Sequence, residues 1–229
     1  MESANVVGYD QTTLRYGNMG AGACFVPVTG VVSNNLQDII VTGYEGDCEG
    51  AVVAQELDNA GRSIDGRKWY WYDVESEGYY GWYNDNEEKP DVLIAPGEGL
   101  YVDAPSSSYK LQSSGQVPTA DIAVRLRYGN KHCVNPTPVR VNINDATKGV
   151  WVTGYEGDCE GAVVMQKLDN AGRSIEGQKW YWYDVESEGY YGWYNDNEET
   201  PEIFVEPGES VYVDAPSSSY FINFPGVVL

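Results

Sequence analysis

The chain contains itself twice. Residues 41–88 and 152–199 differ at only four positions, Ala54/Met165, Glu56/Lys167, Asp65/Glu176 and Arg67/Gln178. The match resumes as PGEGLYVDAPSSSY at 96–109 against PGESVYVDAPSSSY at 207–220, and upstream LRYGN stands at 14–18 and again at 126–130. Self-similarity at a fixed spacing marks one supersecondary unit written more than once, so a fold assigned to one half has to serve for the other. The division predicts a first repeat domain over 1–116 and a second over 117–229. Between the matching blocks, 19–40 and 131–151 share little beyond a Cys-x-x-Pro, CFVP at 24–27 and CVNP at 133–136. Their unequal lengths place them on loops, which absorb insertions more readily than core strands.

Within each unit the local pattern is β. AVVAQELD (51–58) runs into the turn letters NAG, and RSIDGRKWYWYDV (62–74) returns as a second strand. ESEG (75–78) turns again, YYGWY (79–83) forms a third strand, NDNEEKP (84–90) a loop, and DVLIAPGEGLYVDAP (91–105) two short strands broken at Pro-Gly. Ala, Gln, Glu and Leu give 51–60 some helical character, but the NAG that follows and the β-branched neighbours favour a strand. Turns at such intervals, with 26 Gly and 11 Pro, predict an all-β chain of two tandem homologous β-sandwich or barrel-like domains.

The formal charge of −21, from 35 acidic against 14 basic side chains, excludes some partners. A nucleic-acid binder neutralises phosphates with clustered Lys and Arg, and no such cluster is present. An anionic membrane surface repels the chain for the same reason. No apolar run approaches the length of a membrane span. The opening MESANVV does not form a signal peptide and reads like a start placed before a mature N-terminus. A secreted or cell-surface protein is the expectation, its targeting segment not among these residues.

The order NVVGY, LRYGN, WYWYD…GWY, PGEG followed by a hydrophobic and an aromatic residue, and SGQVP at 114–118 before the next unit resembles a group of secreted β-repeat proteins. These belong to bacteria of the Verrucomicrobia, Lentisphaerae and Planctomycetes and are largely uncharacterised. The resemblance covers nearly the whole chain in pattern, through turn and packing residues, and departs from the group at Cys24 and Cys133. It implies secretion and a repeated β domain, and brings no activity with it.

Four cysteines fall two to a unit, Cys24 with Cys48 and Cys133 with Cys159. Four allow three connectivities. Duplication favours pairing within each unit, because an ancestral unit had to fold alone. Closing a loop of that size contributes about 2–4 kcal/mol, and disulfides imply an oxidising compartment. Free buried thiols are the second reading. A metal site is the least favoured, with one His, His132, and no CxxC.

The aromatic stretch KWYWYDVESEGYYGWYNDNEE, at 68–88 and 179–199, carries the functional question. Strand side chains alternate between faces, so Trp69 and Trp71 share one face while Tyr70 and Tyr72 share the other. Across the turn, Tyr79, Tyr80 and Trp82 pair back onto them. Trp69, Trp71, Tyr79, Tyr80 and Trp82, with Trp180, Trp182, Tyr190, Tyr191 and Trp193, are therefore the candidate contact residues. Core filling is the competing use of the same rings, and only accessibility separates the two.

The leading expectation is a non-catalytic structural protein that associates with itself, through head-to-tail contacts that build a filament. NVVGY (5–9) and FPGVVL (224–229) are candidates to complete a neighbour's sheet edge. The alternative is a carbohydrate-binding module, with NDNEE (84–88 and 195–199) supplying polar groups beside the rings. Calcium is a candidate accessory at YEGDCEG (44–50) and NDNEE, although neither matches a D-x-D-x-D-G loop. Catalysis is the weakest class: His132 has no counterpart in the first unit, and the chain holds no phosphate loop, zinc motif or nucleophile elbow.

Overall fold

The computed structural model describes residues 7–22, 34–58, 60–169, 171, 173–200 and 202–227. Among them the first repeat forms β1 (Val7–Thr13), β2 (Gly17–Ala21), β3 (Asn34–Asn35), β4 (Ile40–Thr42), β5 (Val53–Leu57), β6 (Ser63–Val74), β7 (Tyr79–Tyr83), β8 (Leu93–Ile94), β9 (Leu100–Ala104) and β10 (Lys110–Gln116). The second repeat forms β11 (Ile122–Arg125), β12 (Gly129–Val134), β13 (Val141–Asn142), β14 (Trp151–Thr153), β15 (Val164–Leu168), β16 (Ser174–Val185), β17 (Tyr190–Tyr194), β18 (Phe204–Val205), β19 (Ser210–Ala215) and β20 (Phe221–Phe224). No α-helix occurs among the described residues, and Val53–Leu57 is strand, as its neighbours required.

Each repeat builds a three-stranded sheet, a five-stranded sheet and a strand pair. The orders are β1-β10-β4, β2-β9-β5-β6-β7 and β3-β8 in the first repeat, and β11-β20-β14, β12-β19-β15-β16-β17 and β13-β18 in the second. All pairings are antiparallel, and the sheets are open rather than closed into a barrel. Leu111 and Val41 from the three-stranded sheet join Trp69, Trp71 and Val102 from the five-stranded one in a single buried cluster. A second, separate cluster does the same with Val152, Ile222, Trp180, Trp182 and Val213. The all-β class is as expected, in its sandwich form.

Local chemistry fixes the hairpins. Asp58 Oδ1 accepts the N–H groups of Ala60 and Arg62, both at 2.8 Å, which folds the chain between β5 and β6. Glu75–Glu77 make one 3-10 turn, and Gly78 ends it at φ 86°, a left-handed conformation that favours glycine. The described residues near either end pair within the chain, with β1 at the edge of its sheet. β1 pairs along its whole length with β10, while Val227 N–H donates to the Pro118 carbonyl at 2.8 Å and Gly226 N–H to Asp121 at 2.9 Å. The described part of FPGVVL therefore folds onto its own repeat.

The two repeats meet through reciprocal contacts. Ala21 bridges Glu209 and Cys133 bridges Glu98. Arg15 donates to the Leu168 carbonyl and Arg127 to that of Leu57. Residues 15 and 127, 57 and 168, and 98 and 209 are equivalent in the two sequences, so each side gives what it receives. That is an isologous contact with approximate twofold symmetry, and the head-to-tail geometry expected between copies is not the one used inside the chain.

Equivalent residues face each other at such an axis, and there the sequences part. Gly20 and His132 hold the same register position, opposite Tyr101 in β9 and Tyr212 in β19. The His132 ring lies between those two tyrosines, 5.6 and 5.0 Å from them. A Cβ on Gly20 would stand 2.4 Å from His132 Nδ1, so only one side has room for a ring. The loop placement of both divergent segments is corrected in part: residues 19–21, 34–35 and 40 of the first and 131–134, 141–142 and 151 of the second lie in strands, held by the hydrogen-bonded ladders to their neighbours.

The same register reassigns the cysteines. Ala21 pairs with Leu100 as Cys133 pairs with Val211, so Ala21, and not Cys24, is the counterpart of Cys133.

Candidate contact surface

Alternation along β6 and β7 sorts the aromatic stretch by face, and burial settles which face is which. Trp69, Trp71 and Trp82 are 2%, 0% and 0% exposed, and Trp180, Trp182 and Trp193 are 2%, 1% and 0% exposed. Trp71 and Trp82 are directly opposed across the hairpin, with ring centroids 5.4 Å apart at 75°. The Trp82 indole N–H donates to the Ile39 carbonyl at 2.7 Å, and Trp193 repeats this with Val150 at 2.7 Å. These six side chains are core, so the contact role expected of them is corrected: no more than 2% of any of them is open to a partner.

The tyrosines divide differently. Tyr80 and Tyr191 lie at the rim of the Trp face, 40% and 53% exposed. Each stands edge-on against a buried indole, Trp71 at 5.2 Å and Trp182 at 5.1 Å. Tyr79 and Tyr190 point to the opposite face and are half-buried, their hydroxyls donating to Glu87 at 3.0 Å and Glu198 at 3.2 Å. Those carboxylates hold the phenol protons and raise both hydroxyls above the usual tyrosine pKa. Tyr9, Tyr16 and Tyr128 are exposed as well, at 61%, 66% and 67%. Tyr9 ends the NVVGY segment already named as a candidate contact, whereas Tyr16 and Tyr128 were passed over because LRYGN served only as a repeat marker, although an unburied Tyr beside a Gly turn was a usable signal.

The polar groups beside the rings are mostly occupied. Asn84 Oδ1 accepts from Asn86 and Glu88 N–H at 2.9 and 3.0 Å, and its Nδ2 donates to Glu88 at 3.2 Å, so the NDNEE loop is folded by its own side chain. Asn195 repeats the arrangement. Among the described residues, no three His, Cys, Asp or Glu side chains lie close enough together to hold a metal ion, which leaves the calcium reading without a site there.

Nor do the cysteines pair as expected. Cys133 is buried in the core of the second repeat, while Cys159 is exposed in its loop, and both are free thiols. Cys48 is likewise free and exposed, and Cys24 lies outside the described residues. Burial pushes the Cys133 thiol up to about 12. Tyr72 and Tyr183 hydrogen-bond Cys48 and Cys159, and burial together with that bond raises both phenols.

His132 and Cys133, adjacent in sequence, point to opposite faces of β12 and do not meet. His132 Nδ1 is 3.3 Å from Ser210 Oγ, and its Nε2 is buried without a hydrogen-bond partner. Burial, with Arg127 nearby, lowers its pKa to about 4, so the ring is neutral at pH 7.

No family model matches the chain, and no curated protein or solved structure matches it significantly.

Proposed function

We propose that the chain is a non-catalytic structural unit of a secreted or cell-surface assembly, such as a filament, in which exposed tyrosines meet further copies of the same chain. The observation that carries this reading is the pair Tyr80 and Tyr191: equivalent positions, both exposed, each ring braced by a buried indole. A side chain already held in place loses little entropy on contact, and Tyr combines apolar area with a polar tip. Tyr16 and Tyr128 add a second equivalent pair. A net charge of −21 opposes the approach of like copies, and salt screens it, so association is strengthened by ionic strength.

The non-catalytic part rests on the placement of the reactive residues. Among the described residues the His132 ring is within hydrogen-bond distance of Ser210 alone, with no carboxylate bonded to it to orient it. The secreted part rests on the resemblance. Carbohydrate binding through two equivalent aromatic platforms is weakened by the burial of the six tryptophans.

Size-exclusion chromatography with light scattering, beside negative-stain electron microscopy at low and high salt, tests the reading. The expected result is concentration-dependent assembly that the double variant Tyr80→Ala/Tyr191→Ala abolishes. A monomer under every condition would overturn it.

A further inference from the structure

The two repeats are not identical where β7 and β17 border the rest of their sandwiches. Gln37 Oε1 and Asn144 Oδ1 accept the N–H of Trp82 and Trp193, and Ile39 and Val150 accept the two indole N–H groups. Between these fixed points the first repeat has one residue, Asp38. The second has five, Asp145 to Gly149.

The longer segment is a built wall rather than a slack loop. Asp145 Oδ1 accepts from Thr147 N–H and Oγ1, both at 2.8 Å, and from Lys148 N–H at 2.9 Å. Those donors, with the Lys148 ammonium nearby, hold the Asp145 carboxyl below its usual range. Gly149 N–H closes the turn on the Asp145 carbonyl at 2.9 Å, and a Cβ there would meet two carbonyls at 2.6 Å.

Behind the wall lies a cavity of about 200 Å³ lined by Trp151, Tyr191, Trp182, Gly192, Asp145 and Thr147. Two further differences distinguish it: Trp151 supplies an aromatic wall where the first repeat has Ile40, and Asn144 is one methylene shorter than Gln37. A Cβ on Gly81 would lie 2.6 Å from the Gln37 amide oxygen, whereas one on Gly192 would find Asn144 only at 3.5 Å.

We propose that this cavity is a binding site for a single neutral sugar ring, built in the second repeat from Trp151 and the Asp145–Gly149 segment, which the first repeat does not share. Tyr191 and Trp151 offer aromatic surface to the C–H face of a pyranose, and the wall keeps the second Asp145 carboxylate oxygen and the lone pairs of the Thr147 hydroxyl as acceptors for its hydroxyls. The Asp145 charge is already met by its own turn, which argues against a cation. Asp184 and Glu186, close enough to raise the Tyr191 hydroxyl's pKa after burial has done so, disfavour an anion. At about 200 Å³ the cavity is smaller than the sites that hold drug-sized ligands, which matches a single ring. This inference goes beyond self-association and does not depend on it.

The intact chain, diluted until monomeric, is titrated with glucose, galactose, mannose, N-acetylglucosamine and their β-linked dimers, and with choline, followed by saturation-transfer NMR and tryptophan fluorescence. The expected result is saturable binding of at least one neutral sugar, weakened about tenfold, the loss of one stacked ring, by Trp151→Ile or Tyr191→Ala. Tyr80→Ala, the same change in the repeat that lacks Trp151 and the Asp145–Gly149 segment, leaves it unaltered. Trp151→Ile introduces the first repeat's own residue, and an unshifted thermal melt shows that the fold is retained. No sugar binding, binding of choline alone, or equal losses from Tyr80→Ala and Tyr191→Ala would each overturn the proposal.

Discussion

The carboxamide of Gln37 takes the place of a neighbouring strand beside Trp82: its Nε2 donates to the Trp82 carbonyl at 2.7 Å, and its Oε1 accepts the Trp82 N–H at 3.2 Å. β7 is an edge of the five-stranded sheet, and an edge with free N–H and C=O groups is a template for unwanted pairing. Asn144 makes the same two bonds to Trp193, both at 3.0 Å. Gln37→Ala is expected to cost about 1–2 kcal/mol in urea denaturation and to speed aggregation followed by light scattering. Unchanged stability and solubility would show that water serves this edge equally well.

Burial separates the two uses of the aromatic stretch. Trp71→Ala removes a fully buried indole and is expected to cost about 3–5 kcal/mol. Tyr80→Ala gives up one rim contact with that indole and is expected to cost no more than about 1 kcal/mol. Paired denaturation curves decide it, and similar costs for both would mean that Tyr80 is a core residue.

His132 makes stability depend on pH. Its pKa falls from 6.5 to about 4 on folding, so between those values the unfolded chain binds a proton that the folded one refuses. The His132 contribution is complete above pH 6.5 and is lost as pH falls toward 4, an effect of a few kcal/mol. Many carboxylates titrate in the same range, so the readout is the difference between the chain and His132→Gln. The variant is expected to lose less stability between pH 7 and pH 4, and parallel pH profiles would contradict the assignment.

Thiol accessibility tests the cysteine assignment. Under native conditions iodoacetamide is expected to modify Cys48 and Cys159, which are exposed. Cys133, buried and with its thiol raised to about 12, is expected to react only after unfolding, since the thiolate is the nucleophile. Peptide mass spectrometry reads all three. A Cys133–Cys159 disulfide in the purified chain would reverse the conclusion.

The hairpins were legible in the sequence because their causes are local. Asp58, Gly78 and the Pro-Gly at 96–97 act on residues one to four positions away, and the alternation of Trp and Tyr in KWYWYD is a property of any strand. The doubling was legible because 41–88 and 152–199 agree almost throughout. These features determined an all-β chain of two like units.

The tertiary structure decided which face of β6 is covered, because that depends on Leu111 and Val41 arriving from distant strands. It decided that Ala21 answers Cys133, since pairing with Leu100 and Val211 sets the register while a Cys-x-x-Pro in an unequal loop sets nothing. It decided that Gln37 and Asn144, misaligned by an insertion, do one task. Each of these is a relation between residues far apart in the chain, fixed by what space and hydrogen-bonding groups remain once two sheets have closed on each other.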